Sequence, residues 1–217
     1  MAEFDPSAAA EVIEAARTGR ALVEPFTGRW PTLDLPTAYS VAAHASALRH
    51  AATGANRLGR KIGFTNRTIW ERYGVNHPIW GWMYDDTVQL AASRTGLPAT
   101  VVLAASGTGL SAIVDLAANR TGLSATVDLS RLVQPAVEPE IVLCLARPVR
   151  AGATVADVAA AIDWIAFGYE IVHCHYPGWK FQAPDTIIDG GLHGALCVGE
   201  PAEPWPTMVD DLASFSL

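Results

Sequence analysis

Lysine is nearly absent from this chain of 217 residues, because only Lys61 and Lys180 are lysines among its 15 basic residues. Lysine differs from arginine in carrying a compact charge whose pKa shifts readily when the side chain is buried. Each of the two lysines is therefore a candidate for a role that requires lysine. The alternative is that both are surface residues left by chance.

Other features are missing as well. The net charge of −7 leaves no basic patch for nucleic acid, and no apolar run reaches the roughly 18 residues that span a membrane. The first twenty residues lack an apolar signal core. The three cysteines stand in apolar surroundings, which predicts reduced core residues in a cytoplasmic protein: Cys144, Cys174 and Cys197.

The common motifs of triad hydrolases and zinc sites, G-x-S-x-G, H-E-x-x-H and C-x-x-C, do not occur. An internal repeat of 13 residues occupies 87–129, with units that begin at 87, 100 and 113. The middle unit contains G-x-G-x-x-A, but its sister units carry arginine in place of Gly107, so a duplicated turn is favoured over a nucleotide site. We expect surface hairpins outside any metal site.

Helices and strands are predicted from the spacing of apolar residues. Helical spacing predicts a helix over 7–18 with Ser7 as its N-cap, and a second helix that ends at Gly54. Further elements follow in the second half of the chain. They are a strand over 141–146, a helix over 154–167, a strand over 169–179, a strand after the glycines at 190–194, and a final strand over 210–217.

Two glutamates flank a proline at the start of the apolar strand, in the stretch "QPAVEPEIVLCLARP". Side chains alternate along a strand, so Glu138 and Glu140 share one face. Paired carboxylates repel each other unless a cation compensates them, and Mg²⁺ or Mn²⁺ prefers such oxygen ligands. Glu170, at the head of the next predicted strand, is a candidate third ligand. The alternative is three solvated glutamates at strand ends.

A second group, His173, Cys174 and His175, has the residue types of a zinc site. Alternation along a strand places the two histidines on one face and the cysteine on the other. The pattern therefore argues against a metal site at this position.

Four stretches carry a resemblance to a known family. "GRKIGFTNRTIWERYGVNHPIWG", "LVQPAVEPEIVLCLARP", "AIDWIAFGYEIV" and "PGWKFQAPDTIIDGGLHGALCVG" occur in this order. Together they resemble the 2-keto-4-pentenoate hydratase branch of the fumarylacetoacetate hydrolase superfamily, which also contains 4-oxalocrotonate decarboxylases. The resemblance covers roughly residues 35–86 and 130–210.

The resemblance implies site residues and chemistry. It implies that Glu138, Glu140 and Glu170 bind Mg²⁺ or Mn²⁺ and that Lys61 projects into the same site. Asp86 and Asp185 fall on acidic positions near the family's pocket. A bound metal acts as a Lewis acid on the 2-oxo acid substrate. Three glycines either offer backbone N–H groups to this anion or form a hairpin turn. They are Gly190, Gly191 and Gly194.

The resemblance predicts an α+β chain with a fumarylacetoacetate hydrolase-like mixed β core. We expect an N-terminal helical arm over 1–55 and a catalytic domain over 56–217, with the repeat as an insertion. The expected activity is a hydro-lyase that adds water to a 2-hydroxy-2,4-dienoate in aromatic catabolism. Two alternatives stay open, a 2-oxo acid decarboxylase that uses the same site and an impaired subunit that acts by association.

The chain departs from the family pattern at its C-terminus. Family chains continue past the position of Leu217 with further strands, so the sequence predicts a β core whose C-terminal strands are missing. An unpaired strand edge seeks partners. We therefore expect a homo-oligomer, with the small 2-oxo acid as the other partner and neither nucleic acid nor membrane.

Overall fold

The computed structural model describes residues 3–90, 92–93, 100–104, 112–115 and 123–213. Seven helices lie in this part of the chain: α1 (Pro6–Gly19), α2 (Phe26–Arg29), α3 (Leu35–Thr53), α4 (Trp70–Tyr73), α5 (Val155–Ala159), α6 (Ala183–Ile188) and α7 (Met208–Ala213). Ten strands accompany them: β1 (Arg57–Gly63), β2 (Ile79–Tyr84), β3 (Val88–Leu90), β4 (Ala92–Ser93), β5 (Thr100–Ala104), β6 (Ala112–Asp115), β7 (Leu123–Asp128), β8 (Ala136–Leu145), β9 (Ile162–Val172) and β10 (His193–Val198). Helix and strand content are mixed, as the sequence predicts. Among the described residues, no helix is long and apolar enough to cross a bilayer.

The two long N-terminal helices form at capped starts. Helix α1 begins at Pro6 and is capped by Asp5, which accepts a hydrogen bond from Ser7 N–H at 2.9 Å. The predicted N-cap, Ser7, was therefore wrong, because the aspartate two residues earlier provides the acceptor. Helix α3 is capped by Asp34 and ends at Gly54, whose φ of 75° matches the predicted glycine stop.

The helical arm shares its core with the rest of the chain. Ile13 of α1 and Val41 of α3 are fully buried in one cluster with Val172 of β9 and Ile188 of α6. The N-terminal helices thus pack directly on the segments that carry the C-terminal half of the candidate site.

The described strands form three sheets, with the strand orders β1-β2, β3-β10-β9-β8 and β4-β7-β5-β6. In the second sheet β8 pairs antiparallel with β9 along ten residues, and β10 pairs antiparallel with β9. Strand β3 adds to β10 in parallel. Strand β8 lies at the edge of this sheet, which contains all three glutamates of the predicted metal site.

The repeat contributes to two different sheets. Its first unit supplies β3, which pairs with β10 of the central sheet, and its later units supply most of the separate sheet in which β5 pairs with β6 as an antiparallel hairpin. Val127, near the end of the repeat, is buried against Ile171 and Cys197. The first and last parts of the repeat thus pair with or pack on the main body, whereas the sequence predicted that the repeat forms surface hairpins.

The helix predicted over 154–167 was wrong beyond its first turns. Helix α5 ends at Ala159, and Ile162 already begins the eleven-residue strand β9. The segment reads as helical because alanines precede alternating aromatic and β-branched residues. Pairing with the full length of β8 outweighs that local preference, because strand formation depends on the neighbouring strand.

The strand predicted at the C-terminus was also wrong where the structure describes it. Residues Met208–Ala213 form helix α7, and 214–217 lie outside the described residues. Asp211 accepts hydrogen bonds from the Thr207 hydroxyl at 2.9 Å and from the Trp205 indole at 2.5 Å. These local bonds and the burial of Met208 stabilise a helical turn, whereas a strand needs a partner edge.

Candidate metal centre

Three carboxylates converge where the start of β8 meets the end of β9. Glu138 lies directly opposite Glu170 in the antiparallel register, and Glu140 lies two residues further along the same face of β8. One carboxylate oxygen from each of the three residues lies within 4.8 Å of the others. The arrangement brings the three predicted ligands together.

Glu170 reaches this cluster from an unexpected position. The sequence placed it at the head of a strand, but it is the ninth residue of β9. Because β9 runs antiparallel to β8, its far end returns to the level of Glu138. The predicted position of Glu170 within its strand was therefore wrong, but Glu170 lies close to the other two glutamates, as expected.

Lys61 extends from β1 into the carboxylate cluster. Its Nζ lies 2.6 Å from Oε2 of Glu170 and 3.7 Å from Oε2 of Glu138. The Lys61 side chain is 10% exposed and that of Glu170 is 1% exposed, so this ion pair is shielded from water. The aliphatic part of Lys61 passes over Gly191, where an added Cβ would lie 3.2 Å from its Cδ.

The other oxygen of Glu170 is held by a histidine that the sequence did not single out. His193 Nδ1 lies 2.7 Å from Oε1 of Glu170, and its Nε2 lies 2.8 Å from the Thr87 hydroxyl. The only signal in the sequence was its position directly after the glycine turn in "GGLHGALCVG". Finding His193 required its distance from Glu170 in the folded chain, which the spacing of residues along the sequence does not give.

The environment moves the pKa values of two glutamates in opposite directions. Burial first, and then repulsion from Glu170, raises the pKa of Glu140 to about 7, although the charge of Lys61 opposes the change. Burial also disfavours ionisation of Glu170, but the His193 hydrogen bond and the Lys61 charge outweigh it and lower its pKa. Glu170 is thus held ionised, whereas Glu140 lacks a compensating cation.

The donor set suits a divalent cation. Three carboxylates share one ammonium group, so two negative charges stay uncompensated when all three are ionised. Carboxylate oxygens are the ligands that Mg²⁺, Ca²⁺ and Mn²⁺ prefer, and Glu138 is half exposed, which leaves an open approach to the cluster. Glu138, Glu140 and Glu170 could therefore hold such an ion.

The two aspartates that were predicted near the pocket, Asp86 and Asp185, contact residues outside the carboxylate cluster. Asp86 forms an ion pair with Arg49 of α3, with an N–O distance of 2.8 Å. Asp185 is fully buried and accepts hydrogen bonds from the backbone and hydroxyl of Thr27 and from the Gln182 N–H, which ties α2 to the start of α6. Both contacts are structural, and a part in catalysis stays a prediction for each aspartate.

Neighbouring side chains, backbone contacts and backbone conformation limit which residues fit at the three predicted glycines. A Cβ on Gly190 would lie 2.7 Å from the Arg17 guanidinium, and a Cβ on Gly194 would lie 2.6 Å from the carbonyl oxygen of Ile171. Gly190 and Gly191 have φ values of 62° and 73°, in the region that favours glycine. A tight turn against Lys61 therefore explains these residues, and their binding of substrate stays a prediction.

A buried charge network lies beneath this turn. The Asp189 carboxylate accepts from the His175 backbone N–H at 3.0 Å, contacts His175 Nδ1 at 2.9 Å, and pairs with Arg17 at 3.3 Å. Burial opposes ionisation of Asp189, but the His175 hydrogen bond and the Arg17 charge lower its pKa. Sequence reasoning missed this network, since Arg17 lies 172 residues away from Asp189.

The three residues with zinc-site types do not form such a site. His173 and His175 are buried with ring centroids 4.6 Å apart, and the Cys174 thiol points to the Tyr176 carbonyl. Within the described residues, the glutamate cluster is the one group of three or more such side chains with metal-site spacing. The strand predicted over 169–179 was wrong at this point, because β9 ends at Val172 and the three residues lie beyond it, so alternation along a strand does not apply to them.

Comparison with solved structures identifies the fold. Residues that cover 91% of the chain superpose on 64% of 4-oxalocrotonate decarboxylase from Pseudomonas putida G7, solved with magnesium and adipate, with a TM-score of 0.70 and 24% identity. The fold is thus the mixed fumarylacetoacetate hydrolase-like fold of that enzyme. No family model matches the chain.

Two curated relatives define the group more narrowly. The chain is 28% identical over 199 residues to 2-hydroxyhexa-2,4-dienoate hydratase of Comamonas testosteroni, covering 91% of this chain and 63% of the relative. It is 26% identical over 196 residues to 2-hydroxypent-2,4-dienoate hydratase of Pseudomonas putida, covering 90% and 73%. The chain is therefore similar in sequence to 2-hydroxydienoate hydratases and to a 4-oxalocrotonate decarboxylase, and it spans 63% of the length of the first hydratase.

Proposed function

We propose that this chain is a divalent-metal-dependent hydratase that adds water to a 2-hydroxy-2,4-dienoate and gives a 4-hydroxy-2-oxo acid. The observation that carries the proposal is the cluster of Glu138, Glu140 and Glu170 with the shielded Lys61 ammonium group against it. The hydratase names of the two relatives support this choice of reaction, which we propose to belong to aromatic catabolism.

The three glutamates are the residues that hold the metal, for which we propose Mg²⁺ or Mn²⁺. The bound ion supplies Lewis-acid stabilisation of the charge that develops on the substrate's 2-oxo oxygen. The magnesium in the solved decarboxylase supports the choice of a hard divalent cation.

We propose two alternative roles for Lys61 in the reaction. Its Nζ lies at the edge of the carboxylate cluster, where it can hold the substrate carboxylate or transfer a proton. The Lys61 stem extends from β1 over the turn at Gly191 and is largely buried there, which limits its movement. Asp86, Asp185 and the backbone N–H groups of 190–194 stay proposed as secondary contributors to the pocket.

The proposal is tested by metal binding and turnover. Titration calorimetry with Mg²⁺ should show binding to the wild-type chain, and Glu138→Gln or Glu140→Gln should weaken it by more than about tenfold, because a ligand charge is lost. Glu203→Gln, at an exposed position away from the cluster, is the matched control and should bind as the wild type does. Equal affinity in all four proteins would exclude the site. A dienoate absorbance assay with and without Mg²⁺ then measures hydration.

A decarboxylase is the second candidate, and the fold similarity to 4-oxalocrotonate decarboxylase favours it. The same carboxylates and Lys61 would serve it, since loss of CO₂ from a 2-oxo acid also places charge on the 2-oxo oxygen. Product analysis separates the two reactions, because a hydratase forms a hydroxylated 2-oxo acid and a decarboxylase releases CO₂.

We also propose that the chain forms a homo-oligomer, with 1–55 as a helical arm and 56–217 as the catalytic part. Strand β8 is an edge strand, and Leu143, Leu145 and Phe167 are exposed on β8 and its neighbour β9. Unpaired edges and apolar faces favour association. A subunit that acts only by association would sediment as an oligomer and show no turnover with any metal.

A further inference from the structure

The structure assigns His193 a positioning role: it holds Glu170 in the orientation needed for metal binding and is itself held by Thr87. This inference rests on the proposed metal site. It concerns residues that lie outside the carboxylate cluster, and the first observation is that His193 uses both ring nitrogens. Its Nδ1 lies 2.7 Å from Oε1 of Glu170 and its Nε2 lies 2.8 Å from Oγ1 of Thr87.

The direction of the hydrogen bond between His193 and Glu170 follows from the charge of the carboxylate. An ionised carboxylate accepts only, so the hydrogen on His193 lies on Nδ1 and is donated to Glu170. On the other side of the ring, Nε2 lies 2.8 Å from the Thr87 hydroxyl, which also contacts the carbonyl and N–H groups of Tyr84 at 3.0 Å and 3.2 Å. The orientation of the histidine ring is therefore set by a contact at each of its two nitrogens.

Thr87 is held as firmly as the ring that it contacts. Its backbone N–H donates to the Tyr84 carbonyl at 3.0 Å, and its carbonyl accepts from the Leu196 N–H at 2.8 Å. The His193 side chain is 3% exposed, so water does not compete for either nitrogen. The hydroxyl thus stands at a fixed point between β2 and β10.

The consequence concerns the geometry of Glu170. With Oε1 held by His193, the carboxylate cannot rotate freely, and Oε2 is directed to the side where Lys61 and Glu138 lie. Side chains that orient a metal ligand in this way commonly contribute 10–100-fold in metal affinity. Thr87 opens the first repeat unit, so this segment contributes to the site, contrary to the expectation that the repeat lies outside it.

Four variants of the full chain test the inference, with Mn²⁺ as the probe and its affinity measured by electron paramagnetic resonance of the free ion. His193→Leu removes both bonds and should weaken binding about 10–100-fold. His193→Asn keeps a donor near the position of Nδ1 and should bind within about tenfold of the wild type. His193→Gln, whose donor lies near Nε2, should bind as weakly as the leucine variant.

Thr87→Val keeps the shape and backbone of Thr87 but frees the ring at Nε2, so a loss of about fivefold is expected, as for one neutral hydrogen bond. His77→Leu, at an exposed histidine, is the control and should leave the affinity unchanged. The bound-Mn²⁺ spectrum should change in His193→Leu and be restored in His193→Asn, which a purely structural role would not produce.

Two results overturn the inference. One is wild-type affinity in His193→Leu, and the other is equal loss in the asparagine and glutamine variants. If His193→Leu does not fold, unchanged affinity and spectrum in Thr87→Val overturn it instead. Failure of the proposed metal site is distinguishable, because the wild-type chain itself would then bind no Mn²⁺.

Discussion

The two lysines of this chain differ in what surrounds them. Lys61 extends from β1 over the turn at Gly191, with its ammonium against two glutamates, whereas Lys180 is exposed. Arginine is longer and carries a planar, forked charge in place of a compact ammonium group, so it would not make the same contacts with the glutamates. The scarcity of lysine therefore gave a useful signal for one residue and none for the other.

We expect Lys61→Arg to lower dienoate turnover by at least about 100-fold at saturating Mg²⁺, since a positioned proton-transfer group contributes this much. The guanidinium keeps the charge but not the shape or the readily shifted pKa of lysine. Initial rates from the absorbance assay measure the loss. Lys180→Arg is the matched control and should retain wild-type rates. Near-normal kinetics in Lys61→Arg would show that only positive charge matters.

At the scale of elements, the site depends on how β2 packs on the turn that precedes β10. A Cβ on Gly81 of β2 would lie 2.2 Å from the carbonyl oxygen of Gly190, so the two backbones are in direct contact. Gly81 also pairs with Lys61 in the β1–β2 register. The β1-β2 sheet thus carries Lys61 to the carboxylates through a backbone contact that admits no side chain.

Gly81→Ala should destabilise the fold by about 1–3 kcal/mol, the usual cost of overpacking a close contact. Gly19→Ala is the control, because the position at the end of α1 has nothing within 4 Å of an added Cβ and alanine favours helix. Denaturant unfolding at pH 7 compares the two. An unchanged midpoint in Gly81→Ala would mean that β2 and the turn separate without cost.

At the scale of the whole molecule, buried polar groups link the helical arm to the sheet that carries the site. Arg17 of α1 reaches Asp189, and Asp189 holds His175, next to the buried ring of His173. Burial, as the largest cause, lowers the pKa of His173 to about 3, and the partial compensation by Asp189 does not restore it. The folded chain therefore keeps this ring neutral.

This neutral ring makes stability depend on pH. The unfolded chain binds a proton at His173 below about pH 6.5, while the folded chain does so only near pH 3, so the free energy of unfolding decreases as the pH falls through this window. His173→Leu should remove about 2 kcal/mol of the decrease between pH 7 and pH 5. Urea unfolding at both pH values measures the difference.

His44→Leu, at an exposed position of α3, is the control for this measurement and leaves the buried ring in place. It should show the same change in stability between the two pH values as the wild type. The reasoning fails if His173→Leu and His44→Leu give the same change.

Features that follow from local chemistry could be predicted from the amino-acid sequence. The glycine stop of α3 needs one residue with left-handed backbone, and the shared face of Glu138 and Glu140 follows from alternation along any strand. The motifs around Lys61 and the glutamates indicated the relationship that the comparisons confirm. These features depend on residues close together in the chain.

Features that depend on pairing between distant segments could be found only in the folded chain. Residues 162–167 form a strand because β8 offers ten residues of partner edge, and the same antiparallel register returns Glu170 to Glu138. His193 reaches Glu170 across neighbouring strands, and Thr87 is 106 residues from the ring it contacts. Such contacts arise because burial and hydrogen bonding in the folded chain outweigh local preference, and no spacing along the sequence records them.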